Sequence, residues 1–194
     1  MSPGRLEAFS DGVMAIIITI MVLELKAPSE PEFAALGPLI PVVLSYVLSF
    51  VFVGIYWNNH HHLLQAARHV DGRVLWANLH LLFWLSLIPF VTSWMGDSHF
   101  ATAPVAAYGA VLLLAAVAYL ILTRALIACH DRESTLVAAV GNDTKGKLSL
   151  ALYALALPAT FVHRWVACAI YVLVAAIWLV PDRRIEKKLT STKS

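Results

Sequence analysis

Long apolar segments, separated by short polar connections, run through almost the whole chain. A run of about 20 apolar residues is long enough to cross the hydrocarbon core of a bilayer as a helix. Six runs are predicted to span a membrane, at about 6–25, 39–59, 74–95, 104–127, 148–163 and 165–181. The last two are short and are separated only by His163 and Arg164, which predicts a tight hairpin. The pattern therefore predicts an all-α integral membrane protein, with residues 1–194 forming a single six-helix unit.

The composition agrees with the apolar pattern. Hydrophobic residues make up 60% of the chain and charged residues 13%, whereas ordinary soluble domains carry about 25% charged residues. The first run is too long for a cleavable signal peptide and contains Asp11, so we expect it to remain as a spanning helix. Cys129 and Cys168 are predicted near opposite sides of the membrane, which predicts two free thiols.

The basic residues are distributed unequally between the two sides of the predicted bundle. Positive charges concentrate on the cytoplasmic side of membrane proteins. If the N-terminus lies in the cytoplasm, twelve of the fourteen Lys and Arg residues fall on that side, and Lys26 and Arg164 fall outside. An even number of spans then places both termini in the cytoplasm. The net charge is +2. Because the basic residues are distributed according to the side of the membrane, this charge gives no support to nucleic-acid binding.

The first apolar run has two different faces. At 100° per residue, Ile16, Ile20 and Leu23 lie within about 60° of one another, with Thr19 at the edge of the stripe. Asp11 lies on roughly the opposite side. Aliphatic side chains at this spacing usually face lipid or neighbouring helices. If copies of the stripe met around an axis, however, each residue would form a ring, and hydrophobic rings can gate conduction by dewetting.

Asp11 is a carboxylate inside a membrane segment, where a charge is costly and needs partners. It lies about 9 Å along the helix from Arg5, and His80 lies about 10 Å from Arg73 in the third run. The end of the second run offers further donors at a similar depth: Trp57, Asn58, Asn59, His60, His61 and His62. Two interpretations remain open, a polar clasp between helices and a proton-relay or ion-binding carboxylate.

Metal, cofactor and enzyme functions have little support in the sequence. Imidazole is a common ligand for transition metals, but adjacent residues on a helix point 100° apart, so the histidines at 60–62 do not converge on one ion. Haem binding would require histidines that face each other across helices at the same depth, and the sequence shows no clear pair of this kind. The chain lacks H-E-x-x-H, G-x-S-x-G and a P-loop. We therefore predict that the protein is not an enzyme and holds no metal or cofactor.

The motif Arg5-x-x-x-Phe9-Ser10-Asp11, opening the first spanning helix, resembles the bacterial branch of the transmembrane protein 175 family. That family comprises the endosomal and lysosomal potassium channels of animals and their relatives. The resemblance extends to Trp57, His60, His61 and Leu63 in the second run and to residues 78–89 in the third. It is specific over roughly the first half of the chain, while the second half agrees in span count and topology.

The resemblance implies a homotetramer in a bacterial inner membrane, with potassium as the permeant ion and the first helices lining a central pore. By position, the pore constriction maps to Ile16, Ile20 and Leu23, and potassium selectivity to Ile16 and Thr19. A packing network near the inner end would contain the motif and its partners: Arg5, Phe9, Ser10, Asp11, Trp57, His60, His61 and His80.

The leading prediction is a passive cation channel with modest potassium selectivity. The chain has no T-V-G-Y-G filter, so selectivity would arise without a cage of backbone carbonyls. The alternative is a proton-coupled membrane transporter that uses Asp11 and His80 as a relay. A third hypothesis, a membrane redox or metal protein, would rest on the histidines.

Overall fold

The computed structural model describes residues 3–130 and 143–179, and all regular structure in these ranges is helical. A short 3₁₀ helix, Phe33–Leu39, precedes the second α-helix. The α-helices are α1 (Pro3–Leu23), α2 (Ile40–Gln65), α3 (Gly72–Ser86), α4 (Ile88–Asp97), α5 (Thr102–Ala128), α6 (Thr144–Val162) and α7 (Arg164–Leu179). The all-helical prediction is confirmed for this part of the chain.

Within residues 3–130 and 143–179, four helical segments are long and apolar enough to cross a membrane. They are Pro3–Leu23, Phe33–Gln65, Gly72–Asp97 and Thr102–Ala128, and they correspond to the first four predicted spans. The predicted hairpin at the end of the chain is also present, because α6 and α7 pack against each other and only His163 separates them. Helix α7 has 16 residues, which is short for a span. The basic residues at 132 and beyond 179 lie outside the described residues.

The third predicted span, 74–95, differs from a single continuous helix. It is divided at Leu87 into α3 and α4, and Pro89 stands in the first turn of α4. Proline has no backbone N–H, so the carbonyl of Leu85 loses its normal donor four residues later. The backbone tightens here, with the N–H of Leu87 donating to the carbonyl of Trp84 at 3.2 Å. The proline therefore separates two helices within one span.

Helix α1 lies at one edge of the bundle and packs against α2, α3 and α4, while α5 packs against α3, α4 and α6. Buried hydroxyl groups form hydrogen bonds between helices at the centre of the bundle. The Ser49 Oγ lies 2.6 Å from Thr92 Oγ1 and 3.0 Å from the Tyr108 hydroxyl. This triad joins α2, α4 and α5 in a region where water is unavailable to satisfy polar groups.

Gly109 of α5 lies directly against the side chain of Tyr171 in α7. An added Cβ at this position would collide with the hydroxyl of Tyr171. Tyr171 is fully buried, and its hydroxyl donates to the Val105 carbonyl at 3.2 Å. Small residues let helices approach in this way inside membranes, and here the missing side chain accommodates a tyrosine.

Candidate functional site

Helix α1 leaves one complete face uncovered by the rest of the chain. Its buried positions follow helical spacing and contact the neighbouring helices: Leu6, Ser10, Met14, Ile17 and Met21. The opposite face carries large apolar side chains with high exposure, including Phe9 (53%), Ile16 (59%) and Leu23 (78%). Arg5, Gly12, Thr19 and Ile20 are also exposed on α1. The stripe predicted from the sequence is thus a continuous exposed face that also includes the first two residues of the motif.

Thr19 adds an oxygen to this exposed apolar face. Its hydroxyl donates to the carbonyl of Ile16, one turn earlier, at 2.8 Å. The proton is therefore directed back to the helix, and the lone pairs of the hydroxyl oxygen remain available on the exposed side. A cation passing along this face would meet an acceptor at this level.

In the N-terminal half of α1, Asp11 pairs with Trp57 of α2. The indole Nε1 donates to the Asp11 Oδ1 at 3.0 Å. Hydrogen bonds to charged acceptors are stronger than those between neutral groups, so this bond stabilises the contact of α1 with α2. The structure thus brings two residues of the predicted network, Asp11 and Trp57, into contact.

Ser10, the residue before Asp11, begins a buried chain of hydrogen bonds that joins three helices. The Ser10 hydroxyl donates to the Leu6 carbonyl at 2.8 Å and accepts from Asn78 Nδ2 at 3.0 Å. The Asn78 Oδ1 lies 2.7 Å from His60 Nε2. Because an amide oxygen only accepts, His60 must carry its proton on Nε2. Its Nδ1 is buried and has no partner among the described residues.

A third contact at this end joins Glu7 of α1 to His61 of α2. Their closest atoms, Glu7 Oε1 and His61 Nδ1, lie 2.6 Å apart. The ring of His61 also stacks on Trp57, with ring centroids 5.9 Å apart. Neither Glu7 nor Asn78 was predicted as a site residue. The spacing of Glu7, four residues before Asp11 on one side of α1, was the available indication.

Three predicted members of the packing network lie elsewhere. Arg5 and Phe9 are on the exposed face of α1, and the Arg5 side chain has no hydrogen bond or ion pair with the described residues. His80 is exposed, and its Nε2 accepts from Trp84 Nε1 at 2.9 Å. No hydrogen bond joins His80 to Asp11 within the described ranges. The predicted relay between these two residues therefore has no direct contact, because His80 is oriented along its own helix.

The described residues contain no group of three or more His, Cys, Asp or Glu side chains arranged to hold a metal ion. His60, His61 and His62 diverge as helical geometry requires. His60 contacts Asn78, and His61 contacts Glu7.

A groove opens beside the C-terminal end of α1, with a volume of about 590 Å³. Helix α4 provides its other wall. Ile20, at the exposed face of α1, lines its apolar part. At its polar part, the Ser93 hydroxyl lies 3.5 Å from Glu24 Oε2 and 3.3 Å from Asp97 Oδ2. These two acidic side chains lie at the C-terminal end of the exposed face.

Together, these features define a multi-span helical membrane protein whose first helix contacts its neighbours through polar side chains in its N-terminal half and leaves an apolar face uncovered. The family profile described as endosomal/lysosomal potassium channel TMEM175 matches residues 5–89. A potassium channel from Chryseobacterium sp. (strain P1-3) is 54% identical over 189 residues, which cover 97% of this chain and 98% of that protein. The chain therefore belongs to the TMEM175 family, a family of ion channels and not of enzymes.

Two further comparisons support this assignment. The crystal structure of a lysosomal potassium-selective channel TMEM175 homolog from Chamaesiphon minutus superposes with a TM-score of 0.80. It is 27% identical, and the match covers 92% of this chain and 96% of that chain. The endosomal/lysosomal proton channel TMEM175 of Mus musculus is 32% identical over 116 residues, 54% of this chain and 23% of that protein.

Proposed function

We propose that this protein is a potassium channel of modest selectivity, and that four copies assemble around an axis lined by the exposed face of α1. The observation that carries the proposal is the continuous exposed face containing Phe9, Ile16, Thr19, Ile20 and Leu23. One copy of α1 covers only one side of a conducting path. Association of identical subunits would convert each exposed residue into a ring.

The geometry of α1 supports a constriction rather than a wide water-filled pore. Ile16, Ile20 and Leu23 occupy successive levels over about 10 Å of the helix. Rings of branched aliphatic side chains at these levels would narrow the path and could interrupt the water column. The neighbouring polar network stabilises α1 against α2 and α3, so the levels of the rings would be held constant relative to the rest of the subunit.

Selectivity in this proposal comes from dehydration at the rings and from the Thr19 oxygen. A narrow apolar ring favours the cation that loses its hydration water at lower cost, and potassium holds its shell less tightly than sodium. The Thr19 hydroxyl directs its proton toward Ile16, so it would present only lone pairs to a passing ion. One oxygen per subunit replaces less of a hydration shell than a cage of carbonyls does, hence the modest discrimination.

The proposal is tested by reconstituting the purified protein into liposomes and measuring flux after a potassium or a sodium gradient is imposed. The mass of the detergent-solubilised oligomer is measured on the same preparation. We expect potassium flux that follows the electrochemical gradient, a smaller sodium flux, and a mass of four subunits. A monomeric mass, or equal flux in liposomes without protein, would contradict the proposal.

Proton conduction along the same path is a second candidate. It is favoured by the titratable groups at the inner end of α1, Glu7, Asp11 and His61, and by the similarity to the mouse proton channel. A proton-coupled carrier through Asp11 and His80 would show saturable transport driven by a pH gradient. A channel would instead show a reversal potential set by its permeant ion. Measuring that potential under opposed potassium and pH gradients separates these functions.

A further inference from the structure

The connection between α2 and α3, residues 66–71, contacts the end of α5 through His130. The backbone N–H of Arg68 donates to His130 Nε2, with a separation of 3.0 Å. On the other side of the ring, His130 Nδ1 lies 2.8 Å from the Leu126 carbonyl oxygen. A single imidazole therefore bridges the middle of this connection and the last turn of α5.

These two partners determine where the proton of His130 must be. The Leu126 carbonyl only accepts, so Nδ1 carries a hydrogen. The Arg68 amide only donates, so Nε2 must offer a lone pair. Both contacts are satisfied by the neutral ring with its proton on Nδ1. A second proton would occupy Nε2 and face the Arg68 N–H, and this bond would be lost.

The groups around His130 come from the same two elements. The ring of His69 stacks on it, with ring centroids 4.6 Å apart. Cys129 Sγ lies 3.4 Å from His130 Nδ1 and is a weak donor to the His69 carbonyl at 3.9 Å. Burial, together with the charge of Asp71, raises the pKa of the Cys129 thiol, so this group stays uncharged. Among the described residues, the other ionisable groups near this ring are His69, which stacks on it, Arg68, whose backbone it contacts, and Asp71, which lies near Cys129.

The bridged connection joins the two helices that stabilise the inner end of α1. Helix α2 ends before it and carries Trp57 and His61, which contact Asp11 and Glu7. Helix α3 follows it and carries Asn78, which contacts Ser10. Asp71, at the end of the connection, caps α3 by accepting from the Val74 N–H at 2.9 Å.

We propose that His130 is a pH-dependent latch: its neutral ring docks the α2–α3 connection on α5, and its protonation releases that connection. Histidine is the side chain that proteins commonly use as a pH switch. On the topology predicted above, the latch lies on the cytoplasmic side. The latch does not depend on the proposed channel function. Any effect of the latch on ion conduction does rest on that proposed function.

The test is amide hydrogen exchange of the peptide containing Arg68, measured on the full-length protein at pH 8 and pH 5.5. Rates are divided by the intrinsic rate at each pH to give protection factors. We expect protection of the Arg68 amide at pH 8 and a loss of up to about tenfold at pH 5.5, the size of one net hydrogen bond. Equal protection at the two pH values would overturn the proposal.

Two variants assign the effect to the correct histidine. His130→Gln provides an uncharged acceptor oxygen near the position of Nε2, so protection should no longer depend on pH. His69→Gln removes the neighbouring ring but keeps the latch, so the pH dependence should remain. Persistence of the pH dependence in the first variant, or its loss in the second, would contradict the assignment to His130. Potassium flux at both pH values is measured separately. Its absence throughout would count against the proposed function, while the exchange data alone decide on the latch.

Discussion

Trp57 donates its indole hydrogen to Asp11 across 3.0 Å and so joins the second helix of the subunit to the first. Their neighbours on the two helices, His61 and Glu7, make a parallel contact one turn closer to the N-terminus of α1. Two contacts at successive turns fix both the height and the rotation of α1 relative to α2. The orientation of the exposed face therefore depends on side chains that are not part of it.

Replacing Asp11 by alanine should destabilise the subunit rather than change its ion preference. The change leaves the Trp57 donor without its partner, and we expect a loss of about 1–2 kcal/mol of unfolding free energy. Asp11→Asn keeps an acceptor oxygen and should lose less. Thermal unfolding in detergent measures the first effect. A stable tetramer of the alanine variant with altered ion preference would place Asp11 in the conduction path instead.

Asn78→Leu should be among the more destabilising substitutions at the inner end. It removes the acceptor of the buried His60 Nε2–H and the donor to Ser10, and an unsatisfied buried polar group costs about 1–3 kcal/mol. Asn58→Leu is the matched control, because Asn58 is exposed on α2. Unfolding of the two variants under identical detergent conditions compares them. Equal stability would show that the buried chain of hydrogen bonds contributes little.

Ile20→Asn and Ile16→Asn should increase leak and reduce the discrimination between potassium and sodium. A polar amide in an apolar ring favours hydration of the constriction. Ile121→Asn on α5 is the matched control, since Ile121 and Ile20 are both 42% exposed. Liposome flux of potassium and sodium is the measurement. If the Ile121 variant leaked as much as the α1 variants, the effect would come from general disturbance of the bilayer-facing surface.

Thr19→Val should lower the potassium preference while leaving assembly intact. Valine keeps the branched shape of threonine but removes the oxygen that α1 presents on its exposed face. Thr19→Ser keeps the hydroxyl and should retain most of the preference. The permeability ratio, taken from reversal potentials in mixed potassium and sodium, distinguishes the variants. An unchanged ratio in the valine variant would remove Thr19 from the selectivity mechanism.

Gly109→Ala should destabilise the contact of α5 with α7, because the new methyl group would displace the hydroxyl of Tyr171. Overpacking of a close interior contact costs about 1–3 kcal/mol. Gly54→Ala, in α2, is the control, since a Cβ there meets no neighbouring atom within 4 Å. Its alanine should be neutral or stabilising. The difference between the two unfolding temperatures tests the close approach directly.

The features of α1 that depend on helical spacing were predictable from the sequence. Ile16, Ile20 and Leu23 lie on one face because their positions differ by three and four residues, whatever surrounds the helix. The need of Asp11 for a hydrogen-bond donor was also predictable, since a carboxylate inside a membrane segment requires one. The sequence offered several donors at that depth, however, and did not single out Trp57.

Contacts that depend on packing between helices were not predictable in the same way. The position of His80 along its helix predicted the same depth in the membrane as Asp11. Depth carries no information about how the helix is rotated about its axis, however, and His80 instead contacts Trp84 on its own helix. Glu7 was overlooked because its partner, His61, belongs to a run of three histidines in which only the bundle geometry selects the one that faces α1. The choice of Asn78 as the link between Ser10 and His60 has the same origin.

The division of the third span at Leu87 has a mechanical consequence. Its N-terminal half, α3, packs chiefly against α5, and its C-terminal half, α4, packs chiefly against α2, while both halves contact α1. One transmembrane segment therefore packs against different helices, α5 and α2, along its two halves. A displacement of the C-terminal helices would be transmitted to the two ends of α1 through different contacts. The two ends of α1 therefore need not move together.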